Sequence, residues 1–293
     1  MTQSRLRGVI AAAATPITDD LQPDLPRFIG LCRWLLENGC DGLNICGTTG
    51  EATSFSVAQR MAIMRAAAAE LPLARLMVGT GAASVGDAVA LTKEAAALGF
   101  AGALVLPPFY YKGASDDGIV GYFERIAAAT SATDLDLFLY NFPALSGVEF
   151  SPRLVERLVA TFGTRIAGLK DSSGNLDYSA EIAALPERLA VFPSNEATLL
   201  KAREGAFAGC ISASVNVNAE LCAKAFRDGD EAALAKASAI RALVSRGPLI
   251  ASVKAVLAHR LRDQAFEAVL PPLIPLAEEE KRRLLAGVSG VLG

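Results

Sequence analysis

Strand-like and helix-like signals alternate from residue 8 to residue 212, and that rhythm limits the possible folds more than any other feature. Short apolar runs, each closed by Gly, Pro, Asn or Ser, predict strands at 8–17, 42–46, 75–81, 101–106, 135–142, 166–170, 189–192 and 207–212. Between them, apolar residues at helical spacing predict helices at 25–37, 56–71, 84–98, 116–130, 151–162, 176–185 and 196–204. Eight strands alternating with helices predict an α/β fold, a closed (β/α)8 TIM barrel. An open doubly wound sheet would ordinarily show fewer strands and a glycine-rich phosphate turn, and the chain has no GxGxxG or Walker-type turn. The last stretch reads as helices over 218–246, 249–265 and 276–285, broken at Gly229, Gly247 and Pro271-Pro272. The expected organisation is a catalytic barrel over 1–217 and a C-terminal helical extension over 218–293 packed on it.

A hydrophobic fraction of 52% over 293 residues supplies the large core that a barrel needs. The net charge is only −3 and the Lys and Arg residues are scattered, so no nucleic-acid partner is expected. Cys32, Cys40, Cys46, Cys210 and Cys222 show no CxxC spacing, and His259 is the single histidine. They read as reduced, buried thiols of a cytoplasmic protein with no metal site and no cofactor. Arg5 and Arg7 before the apolar run 8–14 imitate a weak signal peptide, but Thr15 and Pro16 interrupt it, so a first buried strand is the better reading. No long apolar segment follows, and no membrane partner is expected.

Ile166-Ala-Gly-Leu-Lys170 reads as a strand apolar on both faces that ends by presenting a lysine. Strict alternation would put Ile166, Gly168 and Lys170 on one face and Ala167 and Leu169 on the other. Desolvation there should lower the amine's pKa and free it as a nucleophile toward a carbonyl. The alternative is an ammonium that snorkels to solvent or pairs with Asp171. Residues at the carboxyl ends of barrel strands line the catalytic face, and Tyr140 holds the equivalent place one strand earlier. A phenol beside the amine could relay protons to and from a carbinolamine; otherwise it is a rim aromatic bonded to backbone. The turn Gly47-Thr48-Thr49-Gly50-Glu51 offers hydroxyls and amides to a small carboxylate, or else is the start of a helix capped by Thr49 or Ser54.

Taken in order, Ala13-Ala14-Thr15-Pro16, the turn at 47–51, Pro108-Phe109-Tyr110-Tyr111, Tyr140-Asn141-Phe142-Pro143, Gly168-Leu169-Lys170 and Gly209-Cys210-Ile211-Ser212 resemble the pyruvate-dependent class I aldolases that include dihydrodipicolinate synthase and N-acetylneuraminate lyase. The resemblance implies an imine between Lys170 and pyruvate or another 2-oxo acid, proton transfer by Tyr140, and carboxylate binding by Thr48 and Thr49. It also implies that the Ile211 backbone borders the pyruvate, that Tyr111 reaches a neighbouring subunit's site, and that the assembly is a homotetramer of two tight dimers. One departure bears on substrate: where dihydrodipicolinate synthases usually carry a carboxylate-binding arginine, this chain has Leu145, in a loop resembling that of N-acetylneuraminate lyases. The acidic pair those lyases carry after the seventh strand is replaced by Pro193-Ser194-Asn195-Glu196. Ser146, Ser172, Ser173, Ser194 and Asn195 are neutral groups suited to hydroxyls, which points to a 2-keto-3-deoxy sugar acid; Lys112 is the basic side chain that could stand in for the arginine. The open alternatives are dihydrodipicolinate synthesis, N-acetylneuraminate cleavage, and a catalytically idle barrel that binds an oxo acid.

Overall fold

The computed structural model describes residues 6–186 and 189–293; Arg5, one of the two arginines of the leader-like stretch, lies outside them. Eight parallel strands carry the fold: β1 (Gly8–Ala12), β2 (Gly42–Ile45), β3 (Leu76–Gly79), β4 (Gly102–Val105), β5 (Asp136–Asn141), β6 (Ile166–Asp171), β7 (Ala190–Pro193) and β8 (Gly209–Ser212). Their order is β7-β6-β5-β4-β3-β2-β1-β8. The seam between β7 and β8 is bridged by Ala208 N donating to Val191 O at 2.9 Å, so the sheet curls into the expected barrel.

Helices α1 (Leu25–Glu37), α2 (Val57–Glu70), α3 (Val85–Leu98), α4 (Asp116–Ala129), α5 (Pro143–Ser146), α6 (Pro152–Phe162), α7 (Leu176–Ala183), α8 (Leu199–Arg203) and α9 (Val215–Asp228) connect and follow the strands. In α1 the buried Phe28, Leu31, Cys32 and Leu35 recur at helical spacing, so one stripe faces the sheet. Burying each large side chain of such a stripe stabilises the fold by about 1.5–3 kcal/mol. One apolar layer lies between sheet and helices. A second fills the barrel, with Ile10, Met77, Leu104, Phe138, Tyr140, Phe192 and Ile211 pointing inward.

α9 packs on β1 and on α10 (Glu231–Val244), and α11 (Leu249–Leu261) and α12 (Glu278–Leu292) complete the C-terminal helices. α9 is broken at Asn218, whose φ of −137° and ψ of 21° are not helical, so it is two helical pieces joined at a kink. No helix among the described residues is long and apolar enough to cross a membrane.

Several elements differ from the sequence expectation. The first strand stops at Ala12, since two residues on, the Ala14 amide leaves the ladder and donates to Asn216 Oδ1 at 3.1 Å, and Ile17 bridges Pro23. The fifth strand is followed at once by α5, since a proline that ends a strand is equally suited to the first helical position. The helix expected over 249–265 ends at Leu261, where Arg262 turns left-handed at φ 55°. The one expected over 276–285 runs on to Leu292, with Leu284 and Val288 buried along it.

The most consequential difference lies in β6. Leu137 pairs with Ile166 but Phe138 pairs with Gly168, so Ala167 is an extra residue in the ladder. Ile166 therefore joins Leu169 in the outer layer, while Ala167 packs against the barrel interior, and Ile166 does not share a face with Lys170. Gly168 is required just below the lysine, because a Cβ there would lie 2.2 Å from Ala190 O and 2.8 Å from the Phe138 ring.

Candidate active site

Past the bulge the ladder is regular, and Tyr140 pairs with Lys170 across β5 and β6. Both point to the barrel interior, where Lys170 is 3% exposed and Tyr140 4%. Lys170 Nζ donates to Tyr140 Oη at 3.3 Å and sits 4.3 Å from the centre of its ring. The phenol oxygen also lies 3.2 Å from Thr48 Oγ1, so three side chains from β5, β6 and the turn after β2 form one chain of hydrogen bonds. The amine does not snorkel and does not pair with Asp171. That carboxylate faces away, held by Asn141 Nδ2 at 2.8 Å, Ser173 N at 3.0 Å, Ser173 Oγ at 2.9 Å and Ser179 Oγ at 2.7 Å.

The turn at 47–51 is not the capped start of a helix. α2 is capped by Ser56, whose Oγ accepts from Gln59 N while Gln59 Oε1 accepts from Ser56 N. The turn closes on itself through Glu51 N to Thr48 O at 3.1 Å and Ala52 N to Gly47 O at 3.2 Å. Among the described residues the amides of Thr48 and Thr49 find no acceptor, which leaves two donors beside the phenol for an anionic group.

The other expected site residues are placed less uniformly. Ile211 is fully buried on β8, its side chain in the same interior layer as Tyr140 and its backbone paired with Ile10. Ser172 directly follows β6 and is half-buried, its amide donating to Asn141 O at 2.8 Å. Leu145 lies on α5 and is 56% exposed. Lys112 reaches that same short helix, donating to Ser146 O at 3.0 Å and to Phe109 O at 2.6 Å. Tyr111 is 77% exposed and packs edge-on against Tyr110, away from Lys170 within one chain.

Of the five neutral groups, three are already engaged. Ser146 Oγ lies 2.8 Å from Val148 O and 3.0 Å from Phe142 O, which share its one proton, Ser173 Oγ donates to Asp171, and Asn195 Oδ1 accepts from Ala197 N. Among the described residues the hydroxyls of Ser172 and Ser194 carry no such commitment.

Two ion pairs at this end of the barrel, one half-buried and one wholly buried, escaped sequence reasoning. Glu196, fully buried after β7, accepts from Arg241 of α10 at 2.9 Å and from Ser214 Oγ, and Arg241 also donates to Ser212 Oγ at 2.9 Å. Glu51, in the turn itself, pairs with Lys254 of α11, and both side chains are wholly buried. Burial pulls the Lys254 ammonium below its ordinary pKa, and the Glu51 carboxylate pulls it partly back. A lone charge within the apolar run 249–258 was the signal available for Lys254.

A buried amine next to a phenol and a hydroxyl, at the carboxyl ends of parallel barrel strands, is suited to carbonyl chemistry through an imine. The fold matches that of dihydrodipicolinate synthase from Agrobacterium tumefaciens with a TM-score of 0.90 at 28% identity, covering 98% of this chain and 99% of that one. The class so defined is that of the class I, pyruvate-dependent Schiff-base lyases. The sequence profile of the Dihydrodipicolinate synthetase family matches residues 5–290. An uncharacterized DapA-like lyase of Chloroflexus aurantiacus is 34% identical over 98% of this chain and 97% of its own length. The 4-hydroxy-tetrahydrodipicolinate synthase of Thermomicrobium roseum is 32% identical over 97% and 94%. The chain belongs to the dihydrodipicolinate synthetase family.

Proposed function

We propose that Lys170 forms the imine with pyruvate or with the oxo group of a 2-keto-3-deoxy sugar acid, and that the enzyme cleaves, condenses or dehydrates such a compound. The observation that carries this reading is the 3.3 Å contact between Lys170 Nζ and Tyr140 Oη, both side chains being buried inside the barrel. The amine attacks the carbonyl carbon, the phenol passes protons to the carbinolamine oxygen as water leaves, and Thr48 orients the phenol. The amides of Thr48 and Thr49, with their hydroxyls, hold the substrate carboxylate, and the Ile211 backbone borders the pyruvate. A neutral aldehyde partner follows from Leu145, which cannot donate to a carboxylate, and from the uncommitted hydroxyls of Ser172 and Ser194.

A second reading, dihydrodipicolinate synthesis, draws support from Lys112, whose ammonium lies against the helix that carries Leu145. We further infer a cytoplasmic homotetramer of tight dimers. The exposure of Tyr110 and Tyr111 supports it, since a partner subunit would cover both rings and bring Tyr111 to the neighbouring site.

Borohydride reduction in the presence of pyruvate tests the imine: a stable mass adduct on Lys170 is expected, and its absence would remove the reading. The partner is decided by comparing kcat/KM for pyruvate plus aspartate semialdehyde with that for a panel of 2-keto-3-deoxy sugar acids and N-acetylneuraminate. Efficient turnover of the semialdehyde would favour the second reading.

A further inference from the structure

We propose that the Glu51–Lys254 ion pair is a positioning device by which the C-terminal helices hold the turn carrying Thr48 and Thr49 in the form that grips the substrate's carboxylate. The proposal rests on the reading above, in which those two threonines bind that carboxylate.

Glu51 closes the turn through its amide on Thr48 O at 3.1 Å, and it does so at φ 56°, a left-handed conformation that a residue with a side chain adopts only under constraint. The constraint is visible. One carboxylate oxygen meets Lys254 Nζ, and the other accepts from Leu270 N at 2.6 Å. Lys254 Nζ donates in addition to Ala268 O at 2.6 Å. The turn after β2 is thus bolted to α11 and to the segment behind it, more than 200 residues along the chain, with no water-accessible atom on either charged side chain.

A buried ion pair is a poor source of stability, because apolar groups of the same shape usually serve as well. What this pair supplies is geometry: with both carboxylate oxygens engaged, Glu51 cannot rotate out of its left-handed form, and the turn is held in the shape that puts Thr48 Oγ1 3.2 Å from the phenol. The effect should therefore fall on the carboxylate half of the substrate and spare the amine that attacks the carbonyl.

Two carbonyl compounds of nearly equal size separate these halves: pyruvate, which has a carboxylate, and hydroxyacetone, which has none. Borohydride trapping on Lys170 is measured against the concentration of each, for the unmodified protein, for Lys254→Met, and for the double variant Glu51→Gln with Lys254→Met. The double variant buries no charge and keeps both side-chain shapes, so it remains measurable if the single variant fails to fold. Half-saturating pyruvate is expected to rise about 10- to 100-fold in the variants, the range for losing a hydrogen bond to a charged group, while hydroxyacetone shifts less than about two-fold. A folded variant in which both compounds weaken alike, or in which neither moves, would overturn the proposal and leave the pair a structural one. Failure of the unmodified protein to trap either compound would instead strike the imine reading, and this proposal with it.

Discussion

Tyr140 and Lys170 are ladder partners on β5 and β6, and their reactive atoms stand 3.3 Å apart inside the barrel, where both side chains are buried. The pairing is direct because 30 residues separate them, one strand, its helices and the return, so the contact is a product of the repeat itself.

Replacing Tyr140 by Phe should leave the fold intact and reduce kcat by about two to four orders of magnitude, the range for a lost proton relay. Borohydride trapping of pyruvate should persist at a slower rate. Steady-state and single-turnover kinetics on the purified variant check both points, and near-native turnover would make the phenol structural.

Lys170→Met should abolish the pyruvate adduct and all turnover while keeping the protein folded. Replacing a buried polar side chain by an unbranched apolar one should leave stability unchanged or raise it by about 1 kcal/mol, as often happens when an active-site group is lost. Urea unfolding beside intact-mass analysis after borohydride is the measurement.

Leu145→Arg restores a bidentate donor on α5, where the chain now presents an exposed apolar side chain. The kcat/KM for pyruvate with aspartate semialdehyde should rise at least about ten-fold, consistent with one charge-assisted hydrogen bond gained. No change would show that Lys112 already serves that end of the pocket.

Alkaline pH should unfold the protein earlier than it would a chain with exposed thiols and phenols. Burial raises Cys46 to about 11 and Cys40 to about 12, and burial likewise raises Tyr122 to about 12. The unfolded chain releases these protons near the ordinary values of 9.0 and 10.0, so between those values and the folded ones it binds fewer protons than the native state. Stability is complete below pH 9 and falls as pH rises toward 12, by up to about 1.4 kcal/mol for each unit of difference in each group. Urea midpoints at half-unit steps from pH 8 to 11.5 should show the decline, and the same thiols should resist modification at pH 8.

Much of this site is legible in the residues because a (β/α)8 barrel repeats locally. Strand ends are marked by Gly, Pro and Asn, and placing Lys170 and Tyr140 one unit apart sends both to the same face. The bulge at Ala167 is not legible, because the register of a parallel pair is decided by what each strand meets across the ladder; here the Phe138 ring fills the space beside Gly168. Ser146 and Ser173 look like free hydroxyls in sequence, yet α5 and the turn after β6 consume them. The same holds for Glu196 and Arg241, which are 45 positions apart and unrelated by any short-range pattern.

The tie from Glu51 to Lys254 and Leu270 also bears on the order in which the molecule can be made. As the chain leaves the ribosome, the turn after β2 emerges early with a carboxylate that has no buried partner, and it stays so until residues 203 and 219 positions later have followed. The eight strands can associate before then, but the turn after β2 is left without its buried partners. On the proposal made above, the turn takes its gripping form only once α11 and the segment behind it have arrived.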